Sequence, residues 1–261
     1  MPVGFATVLK FGIFIIAVIV AILVFIRGKK AELKAISLVG VTFLIIGLNA
    51  LTAVSVDFDP TIFFSSKTLY NLLALASVIF YGLFVHYAFY VGRKSPIKVF
   101  LLIIAIFLVA MLILSISAIV ITGSFAPQNQ DLSESHINHT FSILIMAGSN
   151  CLISGWRFKS SLTSYNETKD NVNVEDWIKL KYKLIMVSSI FLVCLAVMQI
   201  INYSMAKLLI IMSLVFLTFV LETLIWLPPN WLKNWANRNY DVTDDSAGMS
   251  EEEILAQLEE D

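Results

Sequence analysis

Apolar runs about as long as the twenty-residue helix that crosses a bilayer recur along the whole chain, and they leave few ways for it to fold. They occupy 5–26, 35–56, 68–91, 97–121, 139–156, 183–201 and 206–227. Inside a bilayer every backbone N–H and C=O must be satisfied within its own segment, so runs of this length become helices. The expected fold is therefore an all-α membrane protein, a bundle of seven transmembrane helices. Composition agrees: 58% of the 261 residues are hydrophobic, 14% are charged and mean hydropathy is +0.84. A soluble domain has about a quarter of its residues charged.

The distribution of positive charge sets the orientation. Of the 18 lysines and arginines, only Lys10, Lys67 and Lys207 fall at one end of the spans, while the rest, from Arg27, Lys29 and Lys30 to Arg157, Lys233 and Arg238, fall at the other. Cytoplasmic loops carry the excess of lysine and arginine, so the amino terminus is expected outside and the tail in the cytoplasm. The first run has its basic cluster after the apolar stretch, the reverse of a cleaved signal peptide, and is read as an anchor. The 139–156 run is the shortest of the seven. The segment 157–176 reads as a polar connection, and alternating basic residues over 176–183 suit a surface helix.

Pro228 and Pro229 end the last span. Beyond them Trp231 and Trp235 flank Lys233, so 228–240 is read as an interfacial segment with its rings at headgroup level. The tail over 241–261 is acidic, and Ser250 with Glu253 forms a capping-box pattern for a short helix. The net charge of -1 gives no reason to expect nucleic acid as a partner. The lipid bilayer is the expected partner, with a protein partner reached through the cytoplasmic face or the tail, and the cell membrane is the expected location.

A polar side chain in lipid must find a partner or face water, so the polar residues within the spans point to function. Thr42, Asn49 and Thr52 share one face of the second span by helical spacing, and Tyr70, Ser77 and Tyr81 share one face of the third. Two layers follow from depth. A candidate outer pocket comprises Asn49, Thr52, Tyr70, Asn71 and Gln199. A candidate inner polar cluster comprises His86, Asn150, Ser188, Ser189 and Glu222, with His86 and Glu222 at one depth and within reach of forming a pair. A pocket would then lie among the second, third, fifth, sixth and seventh helices. The first and fourth, nearly free of polar residues, are expected to be scaffold or lipid contact. Asp131, Glu134, His136 and His139 could ligate a metal by residue type, but they read as a solvated loop. Cys151 and Cys194 lie in separate apolar runs and read as buried, unbridged residues.

Basic Lys179, Lys181 and Lys183 lead into the sixth span, and Trp226-Leu227-Pro228-Pro229-Asn230-Trp231-Leu232-Lys233 leaves the seventh. In these edges the chain resembles the seven-helix membrane sensor modules found N-terminal to microbial histidine kinases. No kinase or other output domain follows in this sequence, so the resemblance implies signalling through a separate partner. A retinal protein would need a lysine near the middle of the seventh helix, where none occurs. No cofactor is implied. The sequence holds no paired acids, no metal-spaced histidines and no nucleophile with a base at depth, so an enzyme is not expected. The function that fits is a non-enzymatic sensor or signalling module. An accessory or scaffold subunit and a small-solute transporter are the alternatives, the latter calling for broken helices, a repeat or midplane charges.

Overall fold

The computed structural model describes residues 4–30, 33–58, 63–90, 93–122, 132–171, 174–200 and 205–239. The acidic tail over 241–261, Tyr240, the 202–204 turn and Asp131 lie outside them, as do the side chains of Glu134, His136, His139, Gln199 and Lys207. The described residues hold eight α-helices, a 3-10 turn at Asn237–Asn239 and no strand. The helices are α1 (Phe5–Lys30), α2 (Lys34–Phe58), α3 (Phe63–Phe89), α4 (Ile97–Thr122), α5 (Leu132–Thr168), α6 (Asp176–Ile200), α7 (Met205–Trp226) and α8 (Asn230–Ala236).

Short connections make sequence neighbours pack as hairpins. Thus α1 lies along α2, α2 along α3 and α5 along α6, while α3 also reaches α4 and α5. The α1–α2 contact depends on small residues, which let two backbones approach where lipid supplies no hydrophobic drive. A Cβ at Gly40 would stand 3.0 Å from the Phe25 nitrogen and 3.1 Å from the Ala21 carbonyl oxygen. The interior is filled by Ala21, Val24, Val39, Phe84, Ile104, Phe219, Ile225 and Trp226, contributed by α1 to α4 and α7.

The outside is as apolar as the inside. Ile15, Ile19 and Ile22 of α1 and Leu102, Ile106 and Ile113 of α4 are all exposed. Leaving such side chains in water forgoes about 1.5–3 kcal/mol each, so these faces suit hydrocarbon. Five described helices, α1 to α4 and α6, are long and apolar enough to cross a membrane, or six if α7 and α8, which meet at a 76° bend, count as one span. The bend falls at the two prolines, which cannot continue the helix.

α5 departs from the sequence expectation. Its 37 residues form one helix through the stretch read as a polar connection, and it is not among the helices apolar enough to span. No proline interrupts 157–168, so hydrogen bonding continues after apolarity ends. At 1.5 Å per residue the helix is roughly 55 Å long, well beyond a hydrocarbon core of about 30 Å. Its far end is tied to the α3–α4 connection by Arg93, whose Nη1 donates to both Glu167 oxygens at 2.9 and 3.0 Å.

α6 begins at Asp176, so the basic stretch read as a surface helix leading into the sixth span forms the first turns of that same helix. The Trp177 backbone N–H donates to Asn237 Oδ1 at 2.7 Å, and Asn237 Nδ2 donates to Glu175 at 2.9 Å. Asn237 thereby caps a helix sixty residues away in sequence. Leu232 of α8 is buried with Val174, Trp177 and Ile178, leaving Trp231 and Trp235 on the exposed face.

Candidate functional site

Because α5 stays helical past residue 156, Arg157 lies inside the bundle. Asn150, Ser154, Arg157 and Ser161 recur along it at four- and three-residue steps, which places them on one face. Arg157 is fully buried, and its Nη1 donates to Glu222 Oε1 of α7 at 2.6 Å. Three more donors serve the same carboxylate. Ser188 of α6 donates to Oε1, Tyr81 Oη of α3 donates to Oε1 at 3.3 Å, and Trp226 Nε1 donates to Oε2 at 2.9 Å. The Arg157 guanidinium lies over the Tyr81 ring at 4.9 Å and also donates to Ser188 Oγ at 3.3 Å.

The network extends towards the lysine-rich end. Arg27 donates to the Trp226 backbone carbonyl, and Lys181 sits 4.8 Å over the Trp226 ring. One carboxylate thus joins α3, α5, α6 and α7, and Trp226 carries the connection to α1. Burying either ion alone would be expensive, but the pair is neutral overall and made of charge-assisted bonds. Satisfaction is incomplete: Arg157 Nε and Nη2, Ser154 Oγ and Ser161 Oγ are buried without hydrogen-bond partners.

Next to the network is a cavity of about 160 Å³, with walls from α2, α3, α5, α6 and α7. Glu222 and Tyr81 form part of its lining, together with Phe43, Ile153, Leu192 and Phe219. Thr42, Ser77, Asn150, Ser154 and Thr218 supply its other polar groups.

Of the inner cluster, Ser188 and Glu222 are in direct contact and Asn150 reaches the cavity. Ser189 is buried but spends its hydroxyl on the Ile185 carbonyl at 2.7 Å. His86 is not a partner of Glu222. Its Nδ1 is buried without a hydrogen bond and its ring lies 5.1 Å from that of Tyr87. Of the outer set, Asn49, Thr52, Tyr70 and Asn71 do not line this cavity. Thr52 donates to the Asn49 carbonyl at 2.7 Å, and Tyr70 is exposed. Arg157, the cation that completes the site, reads from sequence as a loop charge. The periodic Asn150, Ser154, Arg157, Ser161 face was the signal that it belonged inside.

An all-helical bundle with at least five helices apolar enough to cross a membrane, and with isoleucine and leucine on its outer faces, is a multi-pass integral membrane protein in contact with lipid. No protein-family model, curated protein or solved structure matches the chain.

Proposed function

We propose that the chain crosses the membrane seven times, with its amino terminus outside and its tail in the cytoplasm. We propose further that it is a non-enzymatic sensor or signalling module acting on a separate cytoplasmic or membrane partner. The observation that supports this reading is the cavity walled by five helices, with Glu222 of the Arg157–Glu222 network in its lining. Whatever enters or reshapes the cavity meets a carboxylate that ties α3, α5, α6 and α7 together, so a change there is felt by four helices at once. The Trp226 contacts with Arg27 and Lys181 carry that change to the end where lysine and arginine collect, the end read as cytoplasmic. Moving Arg157 from loop to interior leaves the charge bias intact. The length of α5 is ample for a crossing, with the buried pair offsetting its polarity.

Crosslinking pull-down from native membranes tests the reading, with three forms of the chain at equal levels: intact, truncated after Tyr240, and Glu222→Gln. A soluble signalling protein recovered with the intact chain, and recovered in altered yield with Glu222→Gln, is the expected result. Recovery of membrane subunits irrespective of the tail and of Glu222 would instead make it an accessory subunit. Solute uptake by the pure protein in vesicles would make it a transporter.

A further inference from the structure

A hollow separate from the Arg157–Glu222 network opens at the lysine-rich end. It has a volume of about 460 Å³, lies between the α1–α2 turn and α3, and is lined by Lys29, Lys34, Ser37 and Tyr87, with Leu38 and Val41 further along α2. The apolar part of α1 runs to Lys30, that of α2 begins at Lys34 and that of α3 ends at Phe89. The hollow therefore sits where three helices able to span leave the bilayer. We propose that it binds the headgroup phosphate of an anionic phospholipid from the leaflet on that side.

Both charged side chains in its wall are positive, and no acid lines it. Lys29 and Lys34 are exposed and Tyr87 is 42% exposed, so a ligand can reach all three. The Tyr87 hydroxyl has no hydrogen-bond partner among the described residues. Lys29 Nζ lies 5.4 Å over the Phe25 ring, a contact that leaves N–H donors for an anion. The other polar groups are occupied: the Gly28 carbonyl accepts from the Leu33 N–H at 2.9 Å, and Ser37 donates to the Leu33 carbonyl at 3.4 Å. Counting Glu32, which lies outside the described residues, the stretch 27–34 still carries four positive charges against one negative. A choline headgroup brings its own cation against Lys29 and Lys34, whereas a phosphoglycerol headgroup does not.

Apolar surface runs from the hollow into the membrane, which favours a lipid over a soluble phosphate. Ser37, Val41, Leu44, Leu48 and Leu51 recur at four- and three-residue steps, so they share one face of α2. Leu44, Leu48 and Leu51 are exposed. From Val41 to Leu51 this stripe is roughly 15 Å long, one leaflet of a hydrocarbon core of about 30 Å. A phosphate held by Lys29, Lys34 and Tyr87 thus has an acyl chain lying along α2.

The test exposes the full-length protein in detergent micelles to a phosphatidylglycerol carrying a diazirine in one acyl chain, with adducts mapped by peptide mass spectrometry after illumination. Wild type should be labelled within 41–51. Unlabelled phosphatidylglycerol should compete about tenfold more effectively than phosphatidylcholine with the same chains. Glycerol phosphate, the headgroup without its chains, should not compete at millimolar concentration. Each lysine should contribute about fivefold, the effect of one basic residue beside an anionic membrane surface, so Lys29→Gln, Lys34→Gln should need roughly 25-fold more probe for equal labelling. Lys94→Gln, Lys98→Gln removes two exposed lysines at the same end but outside the hollow, and should stay within about twofold of wild type. Tyr87→Phe should need about fivefold more probe, and it decides the question if the Lys29, Lys34 variant does not fold. The proposal is overturned by absent labelling within 41–51 in wild type, by equal competition from phosphatidylcholine, by equal losses in the two double variants, or by unchanged labelling in Lys29→Gln, Lys34→Gln or in Tyr87→Phe. Displacement by glycerol phosphate would also overturn it, making the hollow a site for soluble phosphate.

Discussion

Breaking the Arg157–Glu222 pair from either side should destabilise the protein more than removing both charges. At 2.6 Å and an effective dielectric of about 20, the gross attraction is roughly 6 kcal/mol, most of it offset by the cost of taking two ions out of water. The pair is therefore expected to add little net stability over neutral side chains of the same shape, yet a lone buried ion should cost about 3–5 kcal/mol. Glu222→Gln strands the Arg157 guanidinium, which already has two unpartnered N–H groups. Arg157→Met strands the carboxylate, although Ser188, Tyr81 and Trp226 still donate to it. The arginine-only variant should thus lie nearer the lower limit of that range. At about 2–4 °C per kcal/mol, each single variant should melt roughly 6–20 °C below wild type. The Glu222→Gln, Arg157→Met double variant should melt above both single variants, which requires a coupling energy of at least about 3 kcal/mol. Thermal unfolding of the purified protein in detergent, followed by far-UV circular dichroism, measures all four corners of the cycle. Single variants that melt within about 2 °C of wild type, or a double variant showing simple additivity, would refute the reasoning.

Two further substitutions test how the bundle is held. Asn237→Ala removes the cap on α6 and the bond to Glu175, which should cost about 0.5–2 kcal/mol. Hydrogen exchange at 174–178 should quicken while exchange in α1 and α2 stays unchanged. Gly40→Leu places a side chain where α1 backbone stands 3.0 Å from the Cβ position, and overpacking of this kind costs about 1–3 kcal/mol, read as a lower melting temperature. The same substitution at Gly155, where nothing lies within 4 Å of a Cβ, is the control.

The apolar helices were legible because hydrocarbon accepts only long runs that satisfy their own backbone, and α1 and α4 carry almost nothing else. Glu222 was legible for the complementary reason, as an acid inside an apolar run that must have a partner. The identity of that partner was not. Depth along the chain suggested His86, because two residues equally far from an interface share a level. Depth does not fix azimuth, and the partner came from α5 instead. Arg157 was hidden because apolarity ends at Trp156 while the helix continues to Thr168. Hydropathy marks where a chain prefers lipid, whereas α5 keeps its polar face against other helices. The cavity was half legible. Its five helices follow from which spans carry polar residues, and Thr42, Ser77 and Tyr81 belong to the polar stripes. Its position beside Glu222, away from Asn49 and Asn71, depends on how wide side chains such as Phe43 and Phe219 pack.

Whether α5 crosses the bilayer decides the seven-span topology, since its own apolarity is too weak to require it. Cys151 and Cys194 would be replaced by alanine and single cysteines placed at Asn129, in the α4–α5 connection, and at Asp170, beyond the other end of α5. Intact cells would then be treated with a membrane-impermeant maleimide before and after permeabilisation. Labelling at 129 in intact cells, with labelling at 170 only after permeabilisation, is the predicted result. Labelling of both positions from the same side would contradict it, leaving α5 on one face of the membrane and reversing the orientation of one part of the bundle relative to the other.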